Sequence, residues 1–251
     1  MKSMFLTLSA AVCFNLLLAD VVVADNYSLW PKRPPEIEQA RRMVRAAEYD
    51  RAVEILKPFV SLEGVVGREA RKISSGIQVP KYLSRRNPTA TIYTVRAGDT
   101  LHRIVNTTQC PAEMIMLLNG ISDPSALKAG QRIVVTKMSL RVEIYPSMRE
   151  ICVWDEDDFV ASYDIESLNL PEITENQKTK VEARDGMLDG DAMAKRSAQF
   201  LSSERVISLS GGIKICGEQG AANHCVCLKN ADVNELALLA FVGAEVIIVK
   251  E

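Results

Sequence analysis

The stretch from Tyr93 to Val135, "YTVRAGDTLHRIVNTTQCPAEMIMLLNGISDPSALKAGQRIVV", carries the densest local instructions in the chain. Alternating "IYTV" reads as a strand, and Gly98-Asp99 as a tight turn. Asp99 or Thr100 can cap a helix that turns Leu101, Ile104 and Val105 inward. Pro111 opens a second helix with Met114, Ile115, Leu117 and Leu118 inward, and Asn119-Gly120 closes it. "GQRIVV" then returns as a strand. Such a segment has room for one small β-α-α-β unit and little else.

In "YTVRAGDTLHRI", "MLLNGISD" and "LKAGQRIVV", taken in that order, the segment resembles a LysM domain, spanning about 92–136. That resemblance implies binding of glycans containing N-acetylglucosamine, such as peptidoglycan or chitin. Backbone groups in the turn Gly98-Asp99-Thr100-Leu101 and in the loop after Asn119 can hydrogen-bond acetamido and hydroxyl groups, while Ile121 and Leu127 offer apolar contact. Gly98 and Gly130 serve the turns first. His102 stands on the first helix facing solvent, with no catalytic role expected.

The rest of the 251 residues frames this unit. A formal net charge of −2 with 25% charged residues leaves no basic field for nucleic acid, and 47% hydrophobic content argues for a folded chain. Residues 1–24 pass from a lysine through an apolar run to Val22-Val23-Ala24, the order of a secretory signal cleaved after Ala24, so an extracytoplasmic location is expected. Val12 before Cys13 argues against a lipoprotein. From 34 to 84 the pattern is helical, with stripes at Ile37, Ala40, Met43, Val44 and Ala47, then at Ala52, Val53, Leu56 and Val60. One such hairpin looks like a tetratricopeptide-type unit, but stacks of that kind need roughly three. It is expected to pack on the next domain, with docking of another protein as the alternative. "RRNPTAT" from Arg85 reads as a linker.

From about 139 to the end, short alternating strands dominate: "LRVEIY", a hairpin around "DEDD", "RVISLSGGIKICG", then the helix "DVNELALLAF" and a last strand "AEVIIV". The polar stretch from Glu172 to Glu204 shows little strand character and is expected to loop over one face. The fold class is therefore α+β and multidomain: a helical hairpin, a βααβ module and a β-rich domain.

Cleavage after Ala24 leaves Cys110, Cys152, Cys216, Cys225 and Cys227, an odd number, so at least one sulfur lacks an intrachain partner. Three of them lie in "ICGEQGAANHCVCLKNADVNEL" beside His224. The order "SGGIKICG…NHCVCLKNADVNEL" resembles the C-terminal half of the YkuD-type L,D-transpeptidases, whose pattern runs I-x-I-H-G, a spacer, S-H-G-C-[IV]-R-L, then a helix. The resemblance implies a β-rich domain acting on peptidoglycan stem peptides through a cysteine acyl-enzyme. It also shows what has changed: Cys216 stands where the family has histidine, the glycine between His224 and Cys225 is missing, and Cys227 replaces the arginine.

In an extended segment, side chains at i and i+2 share a face while neighbours point apart. Adjacent His224 and Cys225 thus fall outside the roughly 3 Å reach of a general base. Without arginine, no cation holds a substrate carboxylate or favours a thiolate. The expectation is an exported peptidoglycan-binding protein whose transpeptidase-like domain is inactive. The alternative is an active L,D-transpeptidase with Cys225 as nucleophile and His224 as base. Because the family fold brings these segments together, the resemblance implies a disulfide from Cys216 to Cys225 or Cys227. No cofactor is expected, and no metal, since "CxxxxxxxHCxC" matches no zinc spacing.

Overall fold

A computed structural model describes residues 33–188, 191–193, 204–218 and 223–250 of the protein. The expected signal segment 1–24 and Cys13 lie outside these residues. Three helices come first: α1 (Pro35–Arg45), α2 (Tyr49–Leu56) and α3 (Gly64–Tyr82). Ile37, Ala40, Ala52, Leu56 and Val60 from the expected stripes are buried together. No helix among the described residues is long and apolar enough to cross a membrane.

Next stand β1 (Thr91–Thr94), α4 (Leu101–Thr108), α5 (Ala112–Asn119), a 3-10 turn (Pro124–Ala126) and β2 (Arg132–Val135). β1 and β2 pair antiparallel, from Thr91 opposite Val135 to Thr94 opposite Arg132. Thr100 caps α4, and Gly120 ends α5 in the left-handed conformation at φ 61°, a position glycine occupies without steric cost. Leu117, expected inward, is 41% exposed. The core-facing stripe of α5 consists of Met114, Ile115 and Leu118.

The C-terminal part contributes β3 (Leu140–Tyr145), β4 (Glu150–Asp155), β5 (Asp158–Asp164), β6 (Ser167–Asn169), β7 (Gln177–Leu188), β8 (Asp191–Met193), β9 (Glu204–Leu209), β10 (Lys214–Cys216), β11 (Cys225–Cys227), α6 (Asn230–Leu239) and β12 (Glu245–Ile248). These strands form one sheet in the order β5-β4-β3-β12-β7-β9-β10-β11-β6, with β8 on β7.

The polar stretch expected to be a loop instead supplies β7. Its first residues pair with β12 and its later ones with β9. Alternation is present, with Lys178, Lys180 and Glu182 exposed and Val181 buried, but Gln177 and Thr179 occupy inward positions where apolar residues would have announced a strand. Each half of β7 thus finds a strand for its backbone groups, β12 first and β9 after it, and this outweighs the weak side-chain signal.

Both N-terminal units pack on this sheet. Ile104, Met114, Ile115 and Ile133 share one core with Val142, Ile144, Val246 and Ile248. Arg184 of β7 bonds the Ala237 carbonyl and pairs with Glu113 of α5. On the other side, α1 to α3 cover Cys152, Trp154 and Phe159. Arg71 there makes a two-pronged ion pair with Glu150, and Tyr82 donates to Asp155. The helical hairpin is thus a layer of the molecule rather than a detached spacer.

Candidate functional site

Two regions hold the residues singled out from the sequence. In the first, around α4 and α5, the polar side chains are spent on the protein itself. Asp99 accepts from Tyr93 Oη and the Arg96 amide, each at 2.8 Å. These bonds, the backbone one foremost, hold its carboxyl below the usual range. Thr100 Oγ1 accepts from the Arg103 amide at 3.3 Å. Asn119 spans α5 and β2: its Nδ2 donates to the carbonyls of Ile115 and Val134, and its Oδ1 accepts from the Val134 amide, all at 2.8 Å. Gly98 sits at φ 78° and lends its carbonyl to Arg103 at 3.3 Å.

What this leaves for a ligand is backbone and apolar surface. The first amides of α4 have no intrahelical partner. Leu101, Ile121 and Leu127 are half-buried on the rim of the shared core. His102 is exposed and bonds Asn106 at 3.2 Å. Tyr93, which fixes Asp99, escaped the sequence reading because it counted only as a strand residue.

Asn119→Ala should unlatch α5 from β2 and leave two backbone groups of Val134 without their side-chain partner. The expected loss is about 1–3 kcal/mol, read from urea unfolding.

The second region is built by β10 and β11, which run parallel with Lys214 opposite Cys225, Ile215 opposite Val226 and Cys216 opposite Cys227. The period of two sends Ile215 and Val226 into the large core. It sends Cys216, Cys225 and Cys227 to the opposite face, where they form a separate buried cluster against Val206. Cys216 and Cys225 are joined as a disulfide. Cys227 Sγ lies 3.4 Å from Cys216 Sγ and 3.8 Å from Cys225 Sγ.

His224 goes elsewhere. It occupies the left-handed region at φ 60°, its carbonyl accepts from the Lys214 amide at 2.9 Å, and its side chain is exposed. The imidazole lines an open cleft of about 520 Å³ with Lys178, Thr179, Ser210 and Gly211, and no cysteine belongs to that lining. The sequence reading missed Lys178 and Thr179 because they sit on the unrecognised β7. Gly217, next to Cys216, admits no Cβ: the Asn230 Oδ1 that bonds the Glu218 amide at 3.1 Å stands 1.8 Å from where one would be.

Cys110 and Cys152 are buried apart from this cluster. Burial raises both thiols above their ordinary range, which keeps them protonated and unreactive.

No curated protein matches the chain. Among solved structures it is similar to the L,D-transpeptidase (residues 123–326) of Xylanimonas cellulosilytica, at 18% identity and TM-score 0.32, over 45% of this chain and 61% of that one. It is also similar to Mycobacterium tuberculosis L,D-transpeptidase 1, at 12% and 0.32, over 49% and 67%. A third is the L,D-transpeptidase of Stackebrandtia nassauensis, at 13% and 0.33, over 46% and 58%. The chain thus spans about three fifths of the first of these, and at such values the likeness is loose and says nothing of activity. The family model described as LysM domain matches residues 93–136. Tyr93 to Thr136, from the strand that fixes Asp99 to the end of the strand latched by Asn119, are a LysM domain.

Proposed function

We propose that the protein is an exported cell-wall component that holds peptidoglycan through its LysM domain and carries a transpeptidase-like domain without transpeptidase activity. The observation that carries the first half is the LysM match over an intact strand-helix-helix-strand unit. The residues proposed to meet the glycan are Gly98, Asp99, Thr100, Leu101, Asn119, Ile121 and Leu127. Asp99, Thr100 and Asn119 act through the loop shape their internal bonds impose, while Leu101, Ile121 and Leu127 supply the apolar contact under a sugar ring.

The disulfide carries the second half. A sulfur tied to Cys216 is no nucleophile, and the exposed His224 lines a cleft to which no cysteine contributes. The rival reading, an acyltransferase using Cys225 and His224, requires both a freed thiol and a rebuilt turn. Docking of another protein on the helical layer finds less support, since its apolar stripes are already covered by the sheet.

Two measurements separate these readings. Purified sacculi should retain the mature protein in a pull-down; recovery no better than that of an unrelated protein would remove the LysM assignment of function. After incubation with a carbapenem, the intact mass should be unchanged. An adduct that disappears in Cys225→Ala would establish the acyltransferase instead.

A further inference from the structure

The three cysteines of β10 and β11 bring an arrangement that neither glycan binding nor acyl transfer uses. Cys216, Cys225 and Cys227 are 2%, 2% and 4% exposed, and one sulfur atom from each falls within 4.8 Å of the others. No histidine or carboxylate among the described residues joins them.

Position distinguishes what the third sulfur can do. Thiol-disulfide exchange proceeds by attack of a thiolate on one sulfur of the bond along the axis that runs through the other. From that direction, Cys227 would be about one bond length farther from the distal sulfur than from the near one. Instead it stands 3.4 and 3.8 Å from the two, abreast of the bond. The sulfurs therefore form a triangle, not a line. A triangle is poor for shuffling and suited to three donors converging on one point.

We infer that, once the Cys216–Cys225 bond is reduced, the three sulfurs form a closed, three-coordinate site for a soft monovalent cation of the copper(I) type. Metal–sulfur bonds of about 2.3 Å in a flat triangle put neighbouring sulfurs about 4 Å apart. Cys227 already stands near that distance from both partners, and only Cys216 and Cys225 must separate. The strand frame fixes the rest, because Cys216 is held opposite Cys227 and the two-residue period of β11 sets Cys225 on the same face.

The donor set selects the ion. Sulfur alone favours soft metals. Zinc closes its structural sites with four ligands, and among the described residues no fourth donor of the usual kinds stands with these three. Calcium and magnesium need oxygen.

The chemistry balances with one dithiol as reductant. The dithiol gives two electrons and two protons to the Cys216–Cys225 bond and leaves as its own disulfide, so three thiols result. The cation then binds as the thiols lose their protons to solvent, with no further change in oxidation state. The disulfide and the metal site are thus alternative states of the same three sulfurs, and the oxidised one is closed to metal.

The test uses the full mature chain, reduced with a phosphine, desalted without oxygen and titrated with copper(I) against the coloured chelator bicinchoninate. One copper per chain is expected, with a matching mass in native spectrometry. The oxidised protein should take none. Reduced Cys227→Ser, which keeps the Cys216–Cys225 pair for folding, should bind more weakly by more than the roughly 10–100-fold lost when only a supporting group is changed. Cys110→Ser should bind as wild type does.

Equal affinity in reduced wild type and Cys227→Ser would overturn the site, as would zinc held in preference to copper(I). Circular dichroism of the reduced protein guards the reading: a folded, reduced chain that leaves all copper with the chelator also refutes it. Sacculus binding and the carbapenem result do not depend on any of these outcomes.

Discussion

Arg71→Ala should destabilise the protein by about 3–5 kcal/mol, a large share of the roughly 5–15 kcal/mol that holds a folded domain. The guanidinium and the Glu150 carboxylate are 3% and 1% exposed and meet through two bonds, at 3.0 and 2.7 Å. Burial alone pulls the Arg71 pKa down, yet the bonds and attraction from Glu150 prevail and the net shift is upward. The same side chain also donates to the carbonyls of Val60 and Leu62, closing the loop between α2 and α3. Truncation therefore strands a buried carboxylate and opens that loop together.

Denaturant unfolding of the single variant gives the loss. The double variant Arg71→Met with Glu150→Leu should recover most of it, because replacing both charges removes the desolvation cost that breaking one exposes. A double variant as weak as the single one would place the effect in the Val60 and Leu62 bonds instead. In the first case the cost reports how firmly the helical layer is joined to the sheet, a junction spanning 79 positions of sequence.

That distance explains why the junction was invisible in the sequence, where Arg71 and Glu150 are two among many charges. The LysM domain was readable because its instructions are local: a cap at Thr100, a stop at Gly120 and two alternating strands, all within a few residues of the turns they make. β7 was not readable, because Gln177 and Thr179 fill inward positions where apolar residues would have announced a strand, and only its pairing with β12 and β9 makes it one. The cysteine cluster falls between these cases. Spacing alone put Cys225 and Cys227 on one face, whereas the meeting with Cys216 depends on the parallel register of β10 and β11. Register is a property of the sheet, and no residue in the stretch encodes it by itself.

Cys216→Ser should cost about 2–3 kcal/mol under oxidising, metal-free conditions, since the disulfide closes a short loop between positions nine apart and removes that loop's freedom from the unfolded chain. The loss should carry a signature. Wild type in a chelator-treated reducing buffer should fall to the level of the variant, and the variant should be indifferent to reductant. Cys227→Ser should behave oppositely, staying near wild type when oxidised and weakening when reduced, because it retains the Cys216–Cys225 pair. If Cys216→Ser instead matched oxidised wild type, the bond would add nothing to the stability of the folded state, although it would still occupy the Cys225 sulfur. The same variants bear on the proposed function, because Cys216→Ser releases the Cys225 sulfur from its bond. If oxidised wild type and Cys216→Ser, whose Cys225 sulfur is freed, both stay without a carbapenem adduct, the proposed inactivity rests on more than the bond, and the exposed His224, in a cleft that no cysteine lines, is the next residue to vary.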